Sequence, residues 1–255
     1  MPIDILRLIL EHVDRECLTK ICMLNQICCS CAQGVLYRHI QIEGHRQNTQ
    51  VCQTLTQSNI LARRVRSFET AHSDSELRGA LLNMINLRRL RLGIWVDSSV
   101  LEGCTFKLLS FTCSSFMDRA LHQFLLKQSS ITDLEVDSIS HDWPELEVTS
   151  LPNLTRVAAP FTKLPLFIPN RPVKEVSVLG YGIGDGDLSF LALSTIPIQK
   201  LTLWDMCLYP YPKPGQFLAS LVPSLTHLKL DTIVTHRNRT TIIVRERPFL
   251  IDFNT

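Results

Sequence analysis

A short apolar triplet recurs along most of this chain. In eight six-residue segments, the first, fourth and sixth positions are occupied almost entirely by apolar residues, as in "LRRLRL" (87–92) and "ITDLEV" (131–136). The copies begin 19 to 27 residues apart, at Val65, Leu87, Phe106, Ile131, Leu154, Val173, Ile198 and Leu225. One or two such segments would arise by chance in an apolar chain, whereas eight at this spacing indicate a structural repeat.

Each copy has the pattern of one short β-strand. Side chains alternate between the two faces of a strand, so the fourth and sixth positions face one side and the residue between them faces the other. One such strand cannot keep its apolar side dry, and neighbouring copies therefore stack in parallel and share a core. Apolar residues at helical spacing fill several gaps, at 76–85, 116–128, 187–196 and 215–222. The sequence thus predicts an α/β fold with a parallel sheet, and its period is typical of an irregular leucine-rich-repeat solenoid.

The segment "SVLGYGIGDGDLSF" (177–190) raises the alternative of a nucleotide-binding loop, because a strand, a glycine-rich turn and a helix can cradle phosphate. That fingerprint needs glycine at its first, third and sixth positions. The sixth position here is Asp185 or Asp187, depending on the first glycine chosen, and a carboxylate there would repel pyrophosphate. We therefore interpret the glycines as a turn between repeats, with one of these aspartates as the following N-cap, and expect no cofactor.

Composition excludes several classes of function. The 26 basic and 24 acidic residues leave a formal charge of +2, too small for general attraction to nucleic acid or to an anionic membrane. No apolar run approaches the roughly 20 residues that span a bilayer. The acidic first residues are unlike a secretory signal. We expect a cytoplasmic or nuclear protein that binds neither nucleic acid nor membrane.

Nine cysteines are best interpreted as free thiols, because their odd number does not suggest a disulfide framework. Five of them crowd into residues 17–31, where Cys28 and Cys31 form a C-x-x-C pair with His39 nearby. A zinc site is conceivable there, but no second pair recurs at finger-like spacing. Since the segment has the pattern of a continuous helix, buried thiols acting as small apolar side chains are preferred, and no metal is expected.

The first forty residues do not follow the repeat. An apolar stripe at helical spacing runs from Ile3 to Val13, Asp14 is placed to cap a second helix, and a third helix covers Ile27 to Leu36. The segment "MPIDILRLILEHVDRECLTKICMLNQICCSCAQGVLYRHIQI" resembles an F-box, with Pro near its start, an apolar helix, Asp-x-x-x-Leu, a Cys-rich helix and a closing "LYRHI". It departs from the usual pattern at Met1, Asn25 and Cys28, where Leu, Cys and an aromatic residue are common.

The resemblance implies both a partner and a domain division. F-box proteins bind a Skp-type adaptor that links them to a cullin–RING ubiquitin ligase, and irregular repeats behind an F-box resemble fungal members of that group. It implies an F-box-like domain at 1–45 and a repeat domain at 46–255. The residues it assigns to the adaptor, in direct contact or in support, are Pro2, Ile3, Leu6, Ile9, Leu10, Leu18, Ile21 and Leu24. A helical cap that shields the first repeat is the alternative interpretation.

A protein substrate would meet the face of the sheet opposite the triplet anchors. Charged residues of both signs alternate there, so no single-sign field favours nucleic acid. The predicted substrate-facing residues are Glu69, Arg89, Arg91, Glu135, Glu175, Lys200 and Lys229. A run of arginines at 63–66 and 88–91 would either meet an acidic or phosphorylated peptide or remain as solvated charges beside the strands.

The sequence contains no G-x-S-x-G, H-E-x-x-H or P-loop motif, so we do not expect an enzyme. The expected function is substrate recognition for a ubiquitin ligase, in which the helices hold the adaptor and the repeat surface holds an unidentified protein substrate. A repeat scaffold not linked to ubiquitination is the main alternative. An enzyme that binds a nucleotide at 180–186 is the third and weakest.

Overall fold

The computed structural model of the chain describes residues 2–114, 118–137, 146–147, 149–179, 187–204, 218, 220–236 and 239–245. The fold is α/β, as predicted, with helices between strands that pair in parallel. By its internal contacts the chain divides into two compact units, Met1–Phe111 and Thr112–Thr255. The boundary predicted at residue 45 comes from the family resemblance and stays a prediction.

The first unit opens with three helices and continues with parallel strands. The helices are α1 (Ile3–Leu10), α2 (Arg15–Ile21) and α3 (Gln26–Leu36). Next come β1 (His39–Ile42), α4 (His45–Gln57), α5 (Asn59–Ala62), β2 (Ser67–His72), α6 (Leu77–Asn83), β3 (Arg89–Trp95) and the 3-10 turn Ser98–Leu101. Strand β1 pairs with β2 and β2 with β3, both in parallel. The helix predicted over 76–85 is confirmed as α6.

The division between the units falls within β4 (Ser110–Cys113), and the second unit carries a further parallel series. Its later elements are α7 (Arg119–Leu126), β5 (Asp133–Val136), β6 (Arg156–Pro160), α8 (Leu164–Phe167), β7 (Glu175–Leu179), β8 (Lys200–Trp204), β9 (His227–His236) and β10 (Arg239–Arg245). Strands β5 to β9 pair consecutively in parallel, and β10 is antiparallel to β9. The helix predicted over 116–128 is confirmed as α7.

The α-helix predicted over 187–196 is wrong, because a 3-10 stretch at Ser189–Leu193 takes its place. Leu188 and Leu191 are both buried, and a spacing of three residues suits the tighter 3-10 turn. The prediction of Asp185 or Asp187 as the N-cap is not confirmed, because Leu188 is the N-cap of this stretch and no side chain caps it. The Asp187 carboxylate, one residue earlier, accepts a hydrogen bond from the Ser189 N–H at 2.8 Å, and this bond lowers the pKa of Asp187. The glycine turn at 180–186 and half of the helix predicted at 215–222 lie outside the described residues.

One backbone contact repeats from strand to strand and defines their register. The carbonyl oxygen of Arg66 accepts hydrogen bonds from the N–H groups of Arg88 and Arg89, at 2.9 and 3.0 Å. The same double contact recurs at the carbonyls of Arg38, Arg88, Thr132, Thr155, Lys174 and Gln199. Because it involves only backbone atoms, it aligns the copies independently of their side chains.

This alignment corrects the third triplet. Leu109, predicted to be a buried anchor, is 44% exposed, whereas its neighbour Leu108 is fully buried. The true anchors are Leu108, Phe111 and Cys113, so the copy begins two residues later than predicted. Phe106 is also buried but lies before the strand. Because its side chain is apolar, the sequence alone places the first anchor there. The other predicted anchors, as far as Leu225, are buried.

The sheet also contains an earlier copy of the triplet that was not predicted. The segment "YRHIQI" (37–42) contains β1, in which Ile40 and Ile42 are buried and lie opposite Phe68 and Thr70 of β2. In the F-box pattern, the first part of this segment is the closing part of the three-helix region. It therefore has two roles, because the chain passes from α3 directly into the first strand.

Candidate protein-interaction surfaces

The three amino-terminal helices, α1 to α3, are here called the helical unit and share a small core of their own. Leu10, Leu18, Cys31 and Ala32 are buried at its centre. Two caps fix the helix starts, because the Asp14 carboxylate accepts a hydrogen bond from the Cys17 N–H at 2.8 Å and the Asn25 side chain accepts one from the Cys28 N–H at 2.9 Å. The first confirms the predicted cap and lowers the pKa of Asp14. The second gives Asn25, a departure from the F-box pattern, a structural role.

The residues assigned to the adaptor divide into three groups by exposure. Pro2, Ile3, Ile9 and Leu24 are exposed. Leu6 and Ile21 are partly buried against the helical core. Leu10 and Leu18 are buried within that core, so they act on any partner only by fixing the positions of the helices.

Further exposed apolar side chains were not assigned to the adaptor. Ile5 and Leu8 lie on α1, Met23 precedes α3 and Ile27 lies in its first turn. With Ile3, Ile9 and Leu24 they form a set of seven large apolar side chains that are between 48% and 83% exposed, here called the exposed apolar set. A signal was present in the sequence, because six of the eight residues of α1 are apolar while the core uses only Leu6 and Leu10. A helix with apolar residues on more than one face favours burial on more than one face.

Two contacts tie these helices to the start of the sheet. Arg38, which follows α3, forms an ion pair with Glu11, which follows α1. The Arg64 guanidinium, from the segment before β2, donates through Nη2 to the Ser30 hydroxyl on α3 at 3.1 Å. Polar contacts therefore hold the three helices to the segments that lead into β1 and β2.

In the second unit, the predicted substrate face carries a row of ion pairs. Asp133, Arg156, Glu175 and Lys200 stand side by side on β5 to β8, in direct register. Arg156 Nε lies 3.1 Å from Asp133 and 3.2 Å from Glu175, and Lys200 Nζ lies 2.9 Å from Glu175. Glu175 and Lys200, both predicted to face a substrate, thus already form an ion pair with each other. A partner that binds here has to complement this row of alternating charges or displace its ion pairs.

The remaining predicted substrate residues are placed less uniformly. In the first unit, Arg91 Nε lies 3.6 Å from Glu69, so this pair is also matched, and Arg89 is exposed. In the second unit, Glu135 and Lys229 are partly buried. Both signs therefore occur along the face, as predicted.

Replacing Glu175 by lysine is expected to lower the free energy of unfolding of the second unit by about 1–2 kcal/mol. The change removes two ion pairs and sets three cations next to one another on adjacent strands, where like charges destabilise a sheet. Urea unfolding at low and high salt measures the change in the free energy of unfolding. The loss is expected to shrink at high salt, because salt screens the repulsion. An equal loss on replacing Lys174, an exposed neighbour outside the row, would contradict the role of the row.

Cysteine chemistry in the described residues is that of free, mostly covered thiols. Eight free thiols are present there, and Cys31 and Cys52 are buried. Burial raises the pKa of Cys52 and of Cys104 to about 12, so both stay protonated and unreactive at neutral pH. Within the same residues, no three His, Cys, Asp or Glu side chains converge in a way that would hold a metal ion.

The described residues bring together groups suited to binding: exposed apolar side chains on the helices and paired charges on the sheet. No helix among them is both long and apolar enough to cross a membrane. Comparison with protein-family models gives no match, and comparison with curated proteins gives none either. A function for the chain must therefore be argued from its own residues.

Proposed function

We propose that the helical unit docks on a Skp-type adaptor through the exposed apolar set, and that the chain thereby recruits a protein substrate to a cullin–RING ubiquitin ligase. The helices bind the adaptor, the strand face binds the substrate, and the chain has no catalytic centre and no cofactor. The parallel array behind the helices is, in this proposal, an irregular leucine-rich-repeat solenoid. The exposed apolar set is the observation that carries the proposal.

The helical unit has apolar side chains on two sides, and its own core buries those on only one side. Leu10 and Leu18 occupy the core, while Ile9 and Leu24, from the same helices and their connections, remain in water. Scattered exposed apolar residues are normal, but seven large ones between residues 3 and 27 are typical of an interaction surface. Fully burying one such side chain is worth about 1.5–3 kcal/mol, so covering seven half-exposed ones supplies several kcal/mol of gross binding energy.

A second support is the agreement of local structure with the F-box pattern. The Asp14 cap starts α2 where the Asp-x-x-x-Leu element of the pattern lies, and Leu18 of that element is buried. The closing "LYRHI" segment leads from α3 into β1, which gives the helical unit a fixed connection to the array.

The test is co-expression of the full chain with a Skp-type adaptor, followed by affinity measurement on the purified proteins. Wild type is expected to form a complex, and the double variant Ile9→Asp plus Leu24→Asp is expected to bind at least about 30-fold more weakly. Each aspartate has to give up its hydration in an apolar interface, and truncating central interface residues commonly costs 2 kcal/mol or more. Both positions are at least half exposed, so the circular dichroism of the free chain should stay unchanged.

Ile60→Asp is the matched control, because Ile60 is 72% exposed on α5 and lies outside the three helices. It carries the same chemical change at similar exposure and should leave adaptor binding intact. An intact, folded wild-type chain that fails to bind the adaptor would contradict the proposal and favour a repeat scaffold outside ubiquitination. Equal weakening by Ile60→Asp would contradict the assignment of the surface.

A further inference from the structure

Arginine side chains line an open cleft in the first unit. The cleft has a volume of about 360 Å³ and lies between α1, α3 and the segment that leads into β2. Its charged lining residues are Arg7, Glu11, Arg38, Arg63, Arg64 and Arg66. Five arginines against one glutamate leave a formal charge of +4 around one hollow, although the whole chain carries only +2.

Neutral oxygen atoms, rather than carboxylates, orient two of these guanidinium groups. Arg64 donates to the backbone carbonyl and to the hydroxyl of Ser30, and Arg66 Nη1 donates to the Asn86 carbonyl at 3.0 Å. The Asn86 side chain in turn donates to the Arg63 carbonyl at 2.8 Å, which fixes the backbone of the same segment. These contacts restrict the side chains but leave their positive charge uncompensated. A cation that is oriented before binding loses less conformational entropy when an anion arrives.

The acidic residues near the cleft do not neutralise it. Glu11 is engaged by Arg38, and the closest carboxylate to Arg7 is that of Asp4, at 3.9 Å with both side chains largely exposed. Such exposed pairs contribute little. Within the described part of the chain, no carboxylate lies within ion-pair distance of Arg63, Arg64 or Arg66. These three cations therefore share a concave site in which no described carboxylate acts as their counter-ion.

We propose that this cleft binds a phosphoryl group. A guanidinium presents paired N–H donors that match the oxygens of phosphate, and several guanidinium groups together suit its double charge better than the single charge of a carboxylate. The volume falls within the range of about 300–1,000 Å³ that is typical of small-molecule pockets, so it accommodates the group and the stem that carries it. The site does not depend on adaptor binding, which uses the exposed apolar set.

The form of the cleft argues against a nucleic acid as its ligand. Nucleic-acid binding requires cations spread along the path of a backbone that carries many phosphates. Here five arginines surround one hollow, and of the two predicted substrate-facing arginines on β3, Arg91 is paired with Glu69 while Arg89 is exposed outside the cleft. The phosphoryl group has two possible sources, a phosphorylated side chain of a protein or a free phosphate compound, and both offer the same oxygens to the cleft.

The experiment measures binding to the full purified chain, without adaptor, by calorimetry at physiological salt. The probes are a phosphoserine peptide, the same peptide unphosphorylated, inorganic pyrophosphate and a single-stranded oligonucleotide. Binding of the phosphopeptide or of pyrophosphate, at least about tenfold tighter than the unphosphorylated peptide, supports the proposal, and the tighter of the two identifies the source. No binding by either, or tighter binding of the oligonucleotide, overturns it.

Three variants locate the site. Arg63→Gln plus Arg66→Gln is expected to weaken phosphoryl binding at least about tenfold, since both replacements lose charge-assisted hydrogen bonds to the phosphoryl oxygens. Gly34→Leu keeps every charge but fills the cleft, because a Cβ at Gly34 would lie 3.8 Å from Arg64 Nη1 and longer side chains extend from there. It should also reduce binding at least tenfold. Arg46→Gln, an exposed arginine on α4 outside the cleft, is the matched control.

Retained binding in both cleft variants, or equal loss in Arg46→Gln, overturns the assignment to this cleft. Adaptor binding is measured on the same variants and is expected to be unchanged. A failure of phosphoryl binding with intact adaptor binding therefore refutes only this inference. A failure of adaptor binding with intact phosphoryl binding refutes only the proposed function.

Discussion

Leu108→Ala is expected to lower the free energy of unfolding of the first unit by about 2.5–5 kcal/mol, whereas Leu109→Ala, the same change one residue later, should alter it by less than about 1 kcal/mol. Leu108 is fully buried and occupies the first anchor position of its triplet. Its truncation leaves a cavity between neighbouring repeats that the stacked strands cannot close. Leu109 is 44% exposed, and shortening its side chain removes little buried contact.

Urea unfolding of the two variants and the wild type, monitored by circular dichroism, makes the comparison. Because the residues are adjacent and chemically identical, each variant is the control for the other. Leu109 would be the costlier position if the triplet at 106–111 had the predicted register. Equal losses at the two positions would mean that the alignment of the third copy on its backbone hydrogen bonds is wrong.

The apolar triplets were sufficient to predict the parallel strands, but not every register. Most copies offer a single way to place the anchors, as at Leu134 and Val136, where the intervening residue is charged. The third copy lies in "FKLLSFTC" (106–113), where apolar residues occur in both possible alignments. Only the double hydrogen bond to the Arg88 carbonyl distinguishes the two alignments. Such a bond joins backbone atoms that are distant in the chain, so it cannot be predicted from local composition.

Polar residues just before the first anchor of a triplet also indicate its register. Asn86 precedes Leu87, and Asn153 precedes Leu154. Each side-chain amide donates to a carbonyl of the preceding copy, Asn86 to Arg63 at 2.8 Å and Asn153 to Ser129 at 2.9 Å. The residue before an anchor therefore links successive copies in each unit, and "NL" at the start of a triplet is a usable marker of register.

The location of the candidate interaction surface could be predicted from the sequence, but the residues that form it could not. Helical spacing identified the apolar stripe of α1 and the Asp14 cap, both of which are local properties. Which side of α1 faces the helical core depends on how α3 crosses it, so Leu10 was assigned to the partner although it is buried. The pairing of Glu175 with Arg156 and Lys200 likewise required the register of three strands.

Arg171 is the residue that local sequence reasoning missed most completely. It stands in "IPNRPV", which has the pattern of an exposed turn, yet the residue is only 2% exposed. Its guanidinium donates from Nε to the Ser150 carbonyl at 2.8 Å, from Nη1 to the Leu166 carbonyl at 3.0 Å and from Nη2 to the Glu147 carbonyl at 3.0 Å. A further bond from Nη1 reaches the Pro169 carbonyl at 3.2 Å. One side chain thus satisfies backbone groups from two separate segments, residues 147–150 and residues 166–169, and its burial lowers its pKa.

Arg171→Met is expected to lower the free energy of unfolding of the second unit by about 3–5 kcal/mol. Methionine keeps much of the apolar stem but leaves four carbonyls without their donor, that of Ser150 in a buried bond and the other three in partly buried ones. A buried acceptor left unsatisfied costs about 1–3 kcal/mol, and water relieves part of the cost at the partly buried carbonyls. Arg171→Lys should recover only part of the loss, because a single ammonium cannot span carbonyls that lie on opposite sides of a planar guanidinium.

Lys174→Met is the matched control, since Lys174 is exposed three residues further along and loses the same charge. Urea unfolding of the three variants separates the contribution of charge from that of the hydrogen bonds. A loss as small as that of Lys174→Met would mean that water replaces the guanidinium at all four carbonyls. Full rescue by lysine would mean that charge alone, rather than the planar array of donors, holds the two segments together.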